Sequence, residues 1–470
     1  MLTQCNQESF AFHPLSQRQV VGHFDGGAIT SDAGGLLLRE VEKRTGILAR
    51  FAACFRDYRK PEQVEHRVRE LVAQRVYALA LGYEDLNDHE QLRADPLLAI
   101  LAEKVDPSGE SRARKRDRGK ALAGKSTMNR LELTKAEATA KERYKKIVLD
   151  QEAVDRLLVE VFLEAYAQPP AEIILDLDAT DDPVHGNQEG RFFHGYYGHY
   201  CYLPLYIFCG DLLLGARLRP SNLDASAGCL DELKRIVVQI RQAWPPVKIT
   251  LRGDSGFCRE EVMAWCEQEG VDYVLGLAKN ERLKAEITSE QEQAAAEYAR
   301  TGRAARVFKE FVYQTRESWS RARRVVAKAE HLEKGANPRF VVTSLSPAVG
   351  ATRALYEELY CARGEMENRI KEQLMLFADR TSTAFLRSNQ NRLYFSSVAY
   401  LLMEALRRLG LKGTDLAQAQ AATIRLKLLK IGALIRLTVR KVWVSLAGGY
   451  PYAELWRRVL TQLQALPLRC

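Results

Sequence analysis

The chain contains 470 residues, 46% of them hydrophobic and 27% charged, and carries a formal net charge of +9. This composition excludes a largely disordered chain and allows several domains with substantial cores, while the positive charge favours a polyanionic partner. The N-terminus has no apolar signal region, and the longest apolar stretch, 393–406, is short and interrupted by Glu404. We therefore expect a cytoplasmic protein with no membrane partner.

The first third of the chain has helical periodicity. Ser31 or Thr30 can cap a helix that continues through 36–38, and apolar residues recur at helical spacing between Val64 and Leu79. A third helix is expected near 89–103. These elements predict a helical N-terminal region over 1–165.

Two segments concentrate positive charge. Residues 108–146 hold 13 Lys and Arg against 5 Asp and Glu, and residues 407–470 hold 12 against 2. Such blocks are often only solvated faces, but the first has the composition of a mobile arm or nucleic-acid-contacting loop. Its candidate contacts are Arg112, Arg114, Lys115 and Arg116.

From about residue 170 the periodicity changes to that of strands and helices. Strands at 173–178, 200–208 and 212–218 predict an antiparallel meander. It is followed by a helix over 224–244, a strand over 247–251, a helix over 259–269 and a strand over 271–277. Three strands, helix, strand, helix, strand is the order of the ribonuclease H-like fold.

The rest of the chain interrupts and completes this core. Alternating patterns between 285 and 350 predict a β-rich insertion, and long helices are expected at 352–378 and 391–409. The expected fold class is therefore α/β, with a ribonuclease H-like core, a β-rich insertion, a helical N-terminal domain and a basic C-terminal region. The predicted boundaries are 1–165, 166–284, 285–350, 351–412 and 413–470, the last contacting DNA or a second subunit.

Three acidic residues from separate segments are the candidate catalytic and metal-binding set. Asp178 ends the first core strand, where it shares a face with Asp176; Asp254 follows the strand at 247–251, between Gly253 and Gly256; and Glu367 lies on the late helix. Hard divalent cations need carboxylate oxygens brought together from different elements.

Two other readings of these acids stay open. Asp176-Leu-Asp-Ala-Thr180 matches the D-x-D-x-T signature of phosphatases in which the first Asp is the nucleophile, although Cys258 and Arg259 stand where that family needs a second acid. Gly253-Asp-Ser-Gly256 resembles a serine-protease motif that Phe257 breaks.

The late helix carries a stripe of reactive side chains. At 100° per residue, Tyr360, Arg363, Glu367 and Lys371 fall within about 80° of arc. An exposed ion-pair ladder would give the same spacing. An Arg and a Lys beside a carboxylate suit a phosphate held next to a metal ion.

Tyr360-x2-Arg363-x3-Glu367, together with Asp178 and Asp254, is similar to the signature of bacterial insertion-sequence transposases of the DDE type. The resemblance implies two Mg²⁺ ions, replaceable by Mn²⁺, held by the three carboxylates. It also implies a homodimer that binds the terminal inverted repeats of double-stranded DNA, cleaves the ends and joins them to target DNA in the nucleoid. A catalytically inactive, domesticated DNA-binding relative is the alternative.

The resemblance also assigns roles that the sequence satisfies only in part. Relatives use an insertion-domain tryptophan to stabilise a flipped base, a part that Trp319, with Arg321 and Arg323 beside it, could play by stacking; a core tryptophan is the alternative. The family's final lysine falls at Leu374, and Lys371 on the same helix face could replace it.

The nine cysteines show no C-x-x-C pair, so neither a zinc ribbon nor a disulfide framework is expected. The irregular spacing of His185, His194, His199 and Cys201 argues for a cleft-lining loop and leaves zinc open. Tyr196, Tyr197 and His199 are alternative DNA contacts near Asp178.

Overall fold

Residues 9–469 are described by the computed structural model. The chain divides into two compact units. The first combines the residues up to Val148 with those from Val398 onwards, and the second is Leu149–Ser397. The five predicted domain boundaries stay a prediction, although three of the five predicted segments fall largely within the second unit.

The strands are β1 (Phe10–Leu15), β2 (Arg18–Gly22), β3 (Ile29–Thr30), β4 (Phe55–Asp57), β5 (Ile147–Leu149), β6 (Glu172–Ala179), β7 (Asp182–Pro183), β8 (Phe192–His194), β9 (His199–Tyr202), β10 (Leu205–Cys209), β11 (Leu212–Arg217), β12 (Lys248–Gly253), β13 (Asp272–Leu277), β14 (Ala305–Tyr313), β15 (Arg323–Leu332), β16 (Gly335–Ala336), β17 (Arg339–Thr343), β18 (Ala433–Leu437) and β19 (Val442–Leu446).

The α-helices are α1 (Leu36–Thr45), α2 (Ile47–Ala53), α3 (Val68–Leu81), α4 (His89–Leu92), α5 (Pro96–Leu101), α6 (Lys125–Glu132), α7 (Gln151–Glu164), α8 (Cys229–Ala243), α9 (Glu260–Glu269), α10 (Glu281–Glu286), α11 (Thr288–Thr301), α12 (Thr352–Ala354), α13 (Gly364–Met375), α14 (Leu386–Gly410), α15 (Ala421–Ile424) and α16 (Ala453–Gln464). A π-helical stretch, Leu355–Tyr360, and a 3-10 turn, Cys361–Arg363, connect α12 to α13.

The first unit is mainly helical, as its periodicity predicts. The helix predicted from Val64 begins later, at Val68. The helix predicted over 89–103 is two short helices, because Pro96 starts a new one whose first turn is capped by Asp95, which accepts a hydrogen bond from the Leu98 N–H at 2.7 Å. The unit also contains the small sheet β19-β18-β3.

A nine-stranded sheet forms the centre of the second unit, in the order β11-β10-β6-β12-β13-β17-β15-β14, with β16 paired to β15. β6, β12 and β13 run parallel, whereas β10 and β11 run antiparallel to their neighbours. The predicted meander of three antiparallel strands is therefore present. The strands predicted as an insertion, β14, β15 and β17, extend this same sheet.

Two predictions in this unit differ from the structure. The strand predicted over 200–208 is two strands, because Pro204 has no N–H to continue a ladder; β9 instead joins β7 and β8 in a separate sheet. The segment after 285 begins with helix α11, a run rich in Glu, Gln and Ala, before its strands start.

The two faces of the central sheet are covered differently. Leu175 and Leu177 of β6 are fully buried in a core that also contains apolar residues of α7, α8 and α9. Val274 of β13 lies on the opposite face, in a smaller cluster with Leu355 and Tyr356 of the π-helical stretch. Because side chains alternate along a strand, Asp176 and Asp178 lie on this second face.

Candidate active site

The first two acids lie at neighbouring strand ends. β12 runs parallel to β6 with Gly253 opposite Leu177, so Asp178 and Asp254 follow the same edge of the sheet. Asp178 Oδ1 accepts a hydrogen bond from the Ala179 N–H at 3.0 Å, and Asp254 Oδ1 accepts one from the Gly256 N–H at 2.8 Å. These bonds fix one oxygen of each carboxylate.

The late helix brings the third acid and a shared arginine. Arg363 Nη1 lies 3.5 Å from Asp178 Oδ2, and Arg363 Nη2 lies 3.6 Å from Glu367 Oε1. One guanidinium therefore faces two of the three predicted acids. Both distances exceed those of a good charge-assisted hydrogen bond, so the pairing is loose.

Tyr360 reaches the same place because a glycine leaves room for it. A Cβ atom at Gly276 would lie 2.6 Å from the Tyr360 hydroxyl oxygen and 2.9 Å from the Ser255 nitrogen. The side chain of any other residue at 276 would displace the tyrosine. Tyr360, Arg363 and Asp254 line a cavity of about 430 Å³ together with Lys279 and Arg339.

The pKa of Asp178 reflects the charged residues that lie near it. Burial raises the pKa of Asp178 to about 6; Arg363 opposes the shift, and the negative charges of Asp254 and Glu367 add to it. Burial also raises the pKa of Tyr360. A carboxyl group with a raised pKa beside two further acids is typical of functional sites.

A family model described as Transposase DDE domain group 1 matches residues 12–468. The chain belongs to this DDE transposase family. It is also similar to a solved structure, a piggyBac transposase synaptic complex with hairpin DNA, with 12% identity and a TM-score of 0.40 over 85% of this chain and 80% of that one. No curated protein matches it.

Within residues 9–469, the transposase has no helix with the length and apolar character that crossing a membrane requires.

The transposase's three acids have the ligand chemistry that a hard divalent cation prefers. All are carboxylates, and the oxygens of Asp178 and Glu367 that face Arg363 are not held by short hydrogen bonds. Among the described residues, no group of three or more His, Cys, Asp or Glu side chains is positioned to hold a metal ion. The residues therefore fit a cation by chemistry, with Arg363 supplying the positive charge between them.

Asp176 does not share the site of Asp178. It was expected to face the cleft, but it is 3% exposed and forms a two-pronged ion pair with Arg252, whose Nε and Nη2 lie 2.5 and 2.7 Å from its two oxygens. Arg252 also donates to the Leu359 carbonyl oxygen. Local sequence periodicity does not reveal this pair, which forms because Arg252 is directly opposite Asp176 in the parallel register.

The predicted stacking tryptophan lies in the core. Trp319 is 6% exposed, its ring meets Tyr313 edge-on at 5.8 Å, and the Arg323 guanidinium lies 5.4 Å from the ring centre. Arg323 is itself 4% exposed and pairs with Glu260 and Glu267. This arrangement favours the alternative of a core tryptophan and gives Arg323 a structural role.

Arg321 differs from these two residues, since its side chain is 65% exposed and only loosely paired with Glu267 at 3.6 Å. It stays a candidate DNA contact.

The basic segment of the first unit is folded against its surroundings. Arg112 pairs with Glu65 at 2.5 Å and donates to the Lys120 carbonyl oxygen, whereas Arg114, Lys115 and Arg116 are exposed. A cavity of about 1170 Å³ lies here, and the following basic side chains line it: Arg59, Arg93, Arg112, Arg114, Arg116, Lys120, Lys125 and Arg130. Four acids, Glu62, Glu65, Glu90 and Asp117, also line this cavity, so basic side chains outnumber acidic ones in it.

The remaining candidates occupy distinct places. Lys371 is exposed on α13, and Leu374 is 38% exposed one turn further on.

His199 Nε2 lies 2.8 Å from Asp181 Oδ2, and Cys201 is fully buried. The seven cysteines within residues 9–469 are free thiols, and Cys5 and Cys470 lie outside that range.

Proposed function

We propose that this transposase binds the terminal inverted repeats of a bacterial insertion sequence, cleaves the DNA at the ends and joins the 3′-hydroxyl ends to target DNA. The observation that carries the proposal is that Asp178, Asp254 and Glu367, from three separate elements, lie near one another at one edge of the central sheet, with Arg363 facing Asp178 and Glu367. The family membership supports the same reaction.

The strand order supports a ribonuclease H-like core. β11, β10, β6, β12 and β13 lie in the order third, second, first, fourth, fifth, with the second strand antiparallel to the first and the fourth parallel to it. The two aspartates then lie at the ends of the first and fourth strands, where the chain leaves the sheet and both residues are partly buried.

Asp178, Asp254 and Glu367 would hold two Mg²⁺ ions, for which Mn²⁺ would substitute. Bound there, such ions activate the attacking oxygen and stabilise the leaving oxygen of a phosphodiester. The protein's own groups complete the site: Arg363 and Tyr360 hold the scissile strand, and Gly276 leaves the space that Tyr360 needs. Arg363 would turn from the carboxylates to the phosphate when the cations bind.

The proposed partners follow from the charges. The exposed cations of the first unit would hold the DNA backbone, and cleavage of both ends of one element would take a homodimer. The protein would act on DNA in the nucleoid.

The test is cleavage of a DNA duplex that carries the element's own ends, with Mg²⁺, Mn²⁺ or EDTA, and mapping of the products. Asp254→Asn and Glu367→Gln should lose cleavage and keep end binding. The matched control is Glu365→Gln, since this residue lies on the same helix and its side chain is 75% exposed. Normal cleavage by either active-site variant, or equal loss by the control, would refute the residue assignment.

A domesticated DNA-binding relative would bind the ends and cut under none of these conditions. The phosphatase alternative is disfavoured by a specific contact, since the Asp176 that it needs as a nucleophile is buried against Arg252. Turnover of a small phosphate ester that survives Glu367→Gln would revive it.

A further inference from the structure

A short hairpin next to Asp178 exposes aromatic rings to solvent. It consists of β8 and β9 with the turn 195–198, and Tyr196 at its tip is 87% exposed. An exposed ring of this size, with neighbours that also present rings, is unusual on a soluble surface and marks an interaction site.

The hairpin is held firmly beside the carboxylates. β9 pairs with β7, which begins four residues after Asp178, and His199 Nε2 meets Asp181 Oδ2 at 2.8 Å. The Ser221 hydroxyl donates to the Phe192 carbonyl oxygen at 2.9 Å, and the Gly198 N–H donates to the His194 carbonyl oxygen across the turn at 2.8 Å. Because these contacts already order the hairpin, little of its own conformational entropy is lost when a ligand binds to it.

A chain of rings leads from the His199–Asp181 contact to the tip. Tyr197 packs edge-on against Tyr196 with ring centres 5.0 Å apart and lies 6.1 Å from the His199 ring. Burial raises the pKa of Tyr197 to about 12, and the negative charges of Asp181 and Asp178 contribute, so its hydroxyl lies within the electrostatic reach of the active site. Tyr196 therefore packs directly against Tyr197, the residue whose pKa the charge of Asp178 helps to raise.

We propose that Tyr196 stacks on an unpaired nucleotide of the DNA strand held at Asp178, an inference that rests on the proposed function. An unpaired base is the occupant because it has a free π-face, which a base inside a duplex does not. Tyrosine provides a large stacking surface with only two side-chain torsions to order. Three acids border the hairpin and each already has a hydrogen-bond partner: Asp181 has His199, Asp182 has the Thr381 hydroxyl, and Glu189 has the Leu386 N–H.

The same hairpin offers a matched control. Phe193 is 58% exposed and lies directly opposite Tyr200, whereas His194 lies opposite His199. Since neighbouring cross-strand pairs occupy opposite faces, Phe193 is on the face turned away from the His199–Asp181 contact. Removing its ring changes the exposed aromatic area without altering the face next to Asp178.

The probe is a duplex with the element's own end and a short unpaired flap at the cleavage position, with 2-aminopurine in the flap. Ca²⁺ replaces Mg²⁺ in the binding experiment, so that fluorescence reports stacking before cleavage. Tyr196→Ala should abolish the protein-induced quenching and slow cleavage in Mg²⁺ by roughly 5- to 150-fold. Tyr196→Phe should restore most of both, and Phe193→Ala should leave both unchanged.

Three results would overturn the stacking role: cleavage and quenching by Tyr196→Ala equal to those of the wild type, a Tyr196→Phe variant as impaired as Tyr196→Ala, or an equal loss in Phe193→Ala. Failure of the proposed function has a different signature, because the wild-type protein itself would then neither bind nor cut the element ends. Circular dichroism of each variant excludes unfolding as the cause of a loss.

Discussion

The middle and the end of β6 present the same side chain in two different surroundings. Asp176 lies in the sheet with the Arg252 guanidinium bound to both of its oxygens, and it is 3% exposed. Asp178, two residues on and on the same face, shares Arg363 with Glu367 at distances of 3.5 and 3.6 Å. One aspartate is fully neutralised by a single partner, and the other belongs to a group with an excess of negative charge.

This difference distinguishes a tightly paired carboxylate from a proposed metal-binding carboxylate within one strand. A tightly paired buried acid stabilises the fold only while its partner is present, and it has no free oxygen to offer a ligand. Three neighbouring acids, two of which share one loosely placed arginine, retain negative charge that a cation can neutralise. We therefore expect loss of stability from changes at Asp176 and loss of reaction from changes at Asp178.

The sharpest test of the comparison is Asp178→Asn. It keeps the size of the side chain and removes the charge, so cleavage of element-end DNA should fall by about 10³-fold or more, because a lost metal ligand costs several kcal/mol of transition-state stabilisation. The midpoint of urea unfolding should stay the same or rise, since a carboxyl group with a raised pKa is removed. A variant that cuts at the wild-type rate would place Asp178 with Asp176 among the structural acids.

The opposite outcome is expected for Asp176→Ala. It leaves Arg252 buried without its carboxylate, which should destabilise the protein by about 3–5 kcal/mol in equilibrium urea unfolding. Replacing both partners at once, Asp176→Leu with Arg252→Met, should recover part of that loss because no buried charge remains. If the single variant unfolds at the wild-type urea concentration, the pair does not stabilise the fold as its geometry indicates.

Much of the second unit could be predicted from sequence because its signals are local. The strands predicted at 173–178 and 247–251 follow from short runs rich in apolar residues, and the observed strands, Glu172–Ala179 and Lys248–Gly253, agree within a few residues. The helical stripe of Tyr360, Arg363 and Glu367 also follows from spacing alone. The structure shows that a π-helical stretch ends at Tyr360 and that a 3-10 turn follows over Cys361–Arg363, so the 100° rule applies only from Gly364 onwards.

The features that sequence missed depend on pairing between distant residues. Nothing near Asp176 shows that Arg252 will lie opposite it, because that follows from the parallel register of β6 and β12. Likewise, burial of Trp319 depends on Tyr313 and Arg323 packing around it. Strand order decides whether the strands after residue 300 form a separate insertion or extend the central sheet, and local periodicity does not encode it.

A third aspartate extends the comparison to an acid with no cationic partner among its described contacts. Burial raises the pKa of Asp182 to about 8, although the Thr381 hydroxyl donates to it, and the charges of Asp379 and Asp181 add to the shift. Its pKa in the unfolded chain is near 3.8, so the folded state binds the proton more tightly. The stabilisation is present below pH 4 and is lost as pH rises towards 8.

Between pH 5 and pH 8 the free energy of unfolding of the wild type should therefore fall by about 2–4 kcal/mol more than that of Asp182→Asn. The measurement is the free energy of unfolding at several pH values for the variant and the wild type. Asp211→Asn is a suitable control, since this acid of the same unit has a side chain that is 46% exposed and an arginine partner, Arg369. Parallel pH profiles for wild type and Asp182→Asn would show that Asp182 is ionised in the folded protein.

The first unit allows the same distinction to be tested with cations. Arg112 is paired with Glu65, whereas Arg114, Lys115 and Arg116 are exposed. Replacing those three by alanine should weaken binding of element-end DNA about 10- to 100-fold in low salt and reduce the slope of log affinity against log salt by about 0.9 per lost phosphate contact. An unchanged slope would show that the segment is only a solvated face.

Arg112→Ala should instead lower the unfolding midpoint and leave the salt slope nearly unchanged. The measurements are fluorescence anisotropy at several salt concentrations and urea unfolding.

The smallest effect is expected at the end of the helical stripe, where a departure from the family signature can be tested. Lys371 is exposed, and Leu374 stands where the family has a lysine. Lys371→Ala should slow cleavage about two- to fivefold, because one exposed charge contributes only up to about 1 kcal/mol. Adding Leu374→Lys to that variant should restore the rate, since a cation then returns to the same face one turn later. Leu374→Ala alone should leave cleavage unchanged, because the side chain is apolar and exposed. If the double variant stays as slow as Lys371→Ala, the two positions do not reach the same phosphate, and Lys371 cannot be the replacement for the family's lysine.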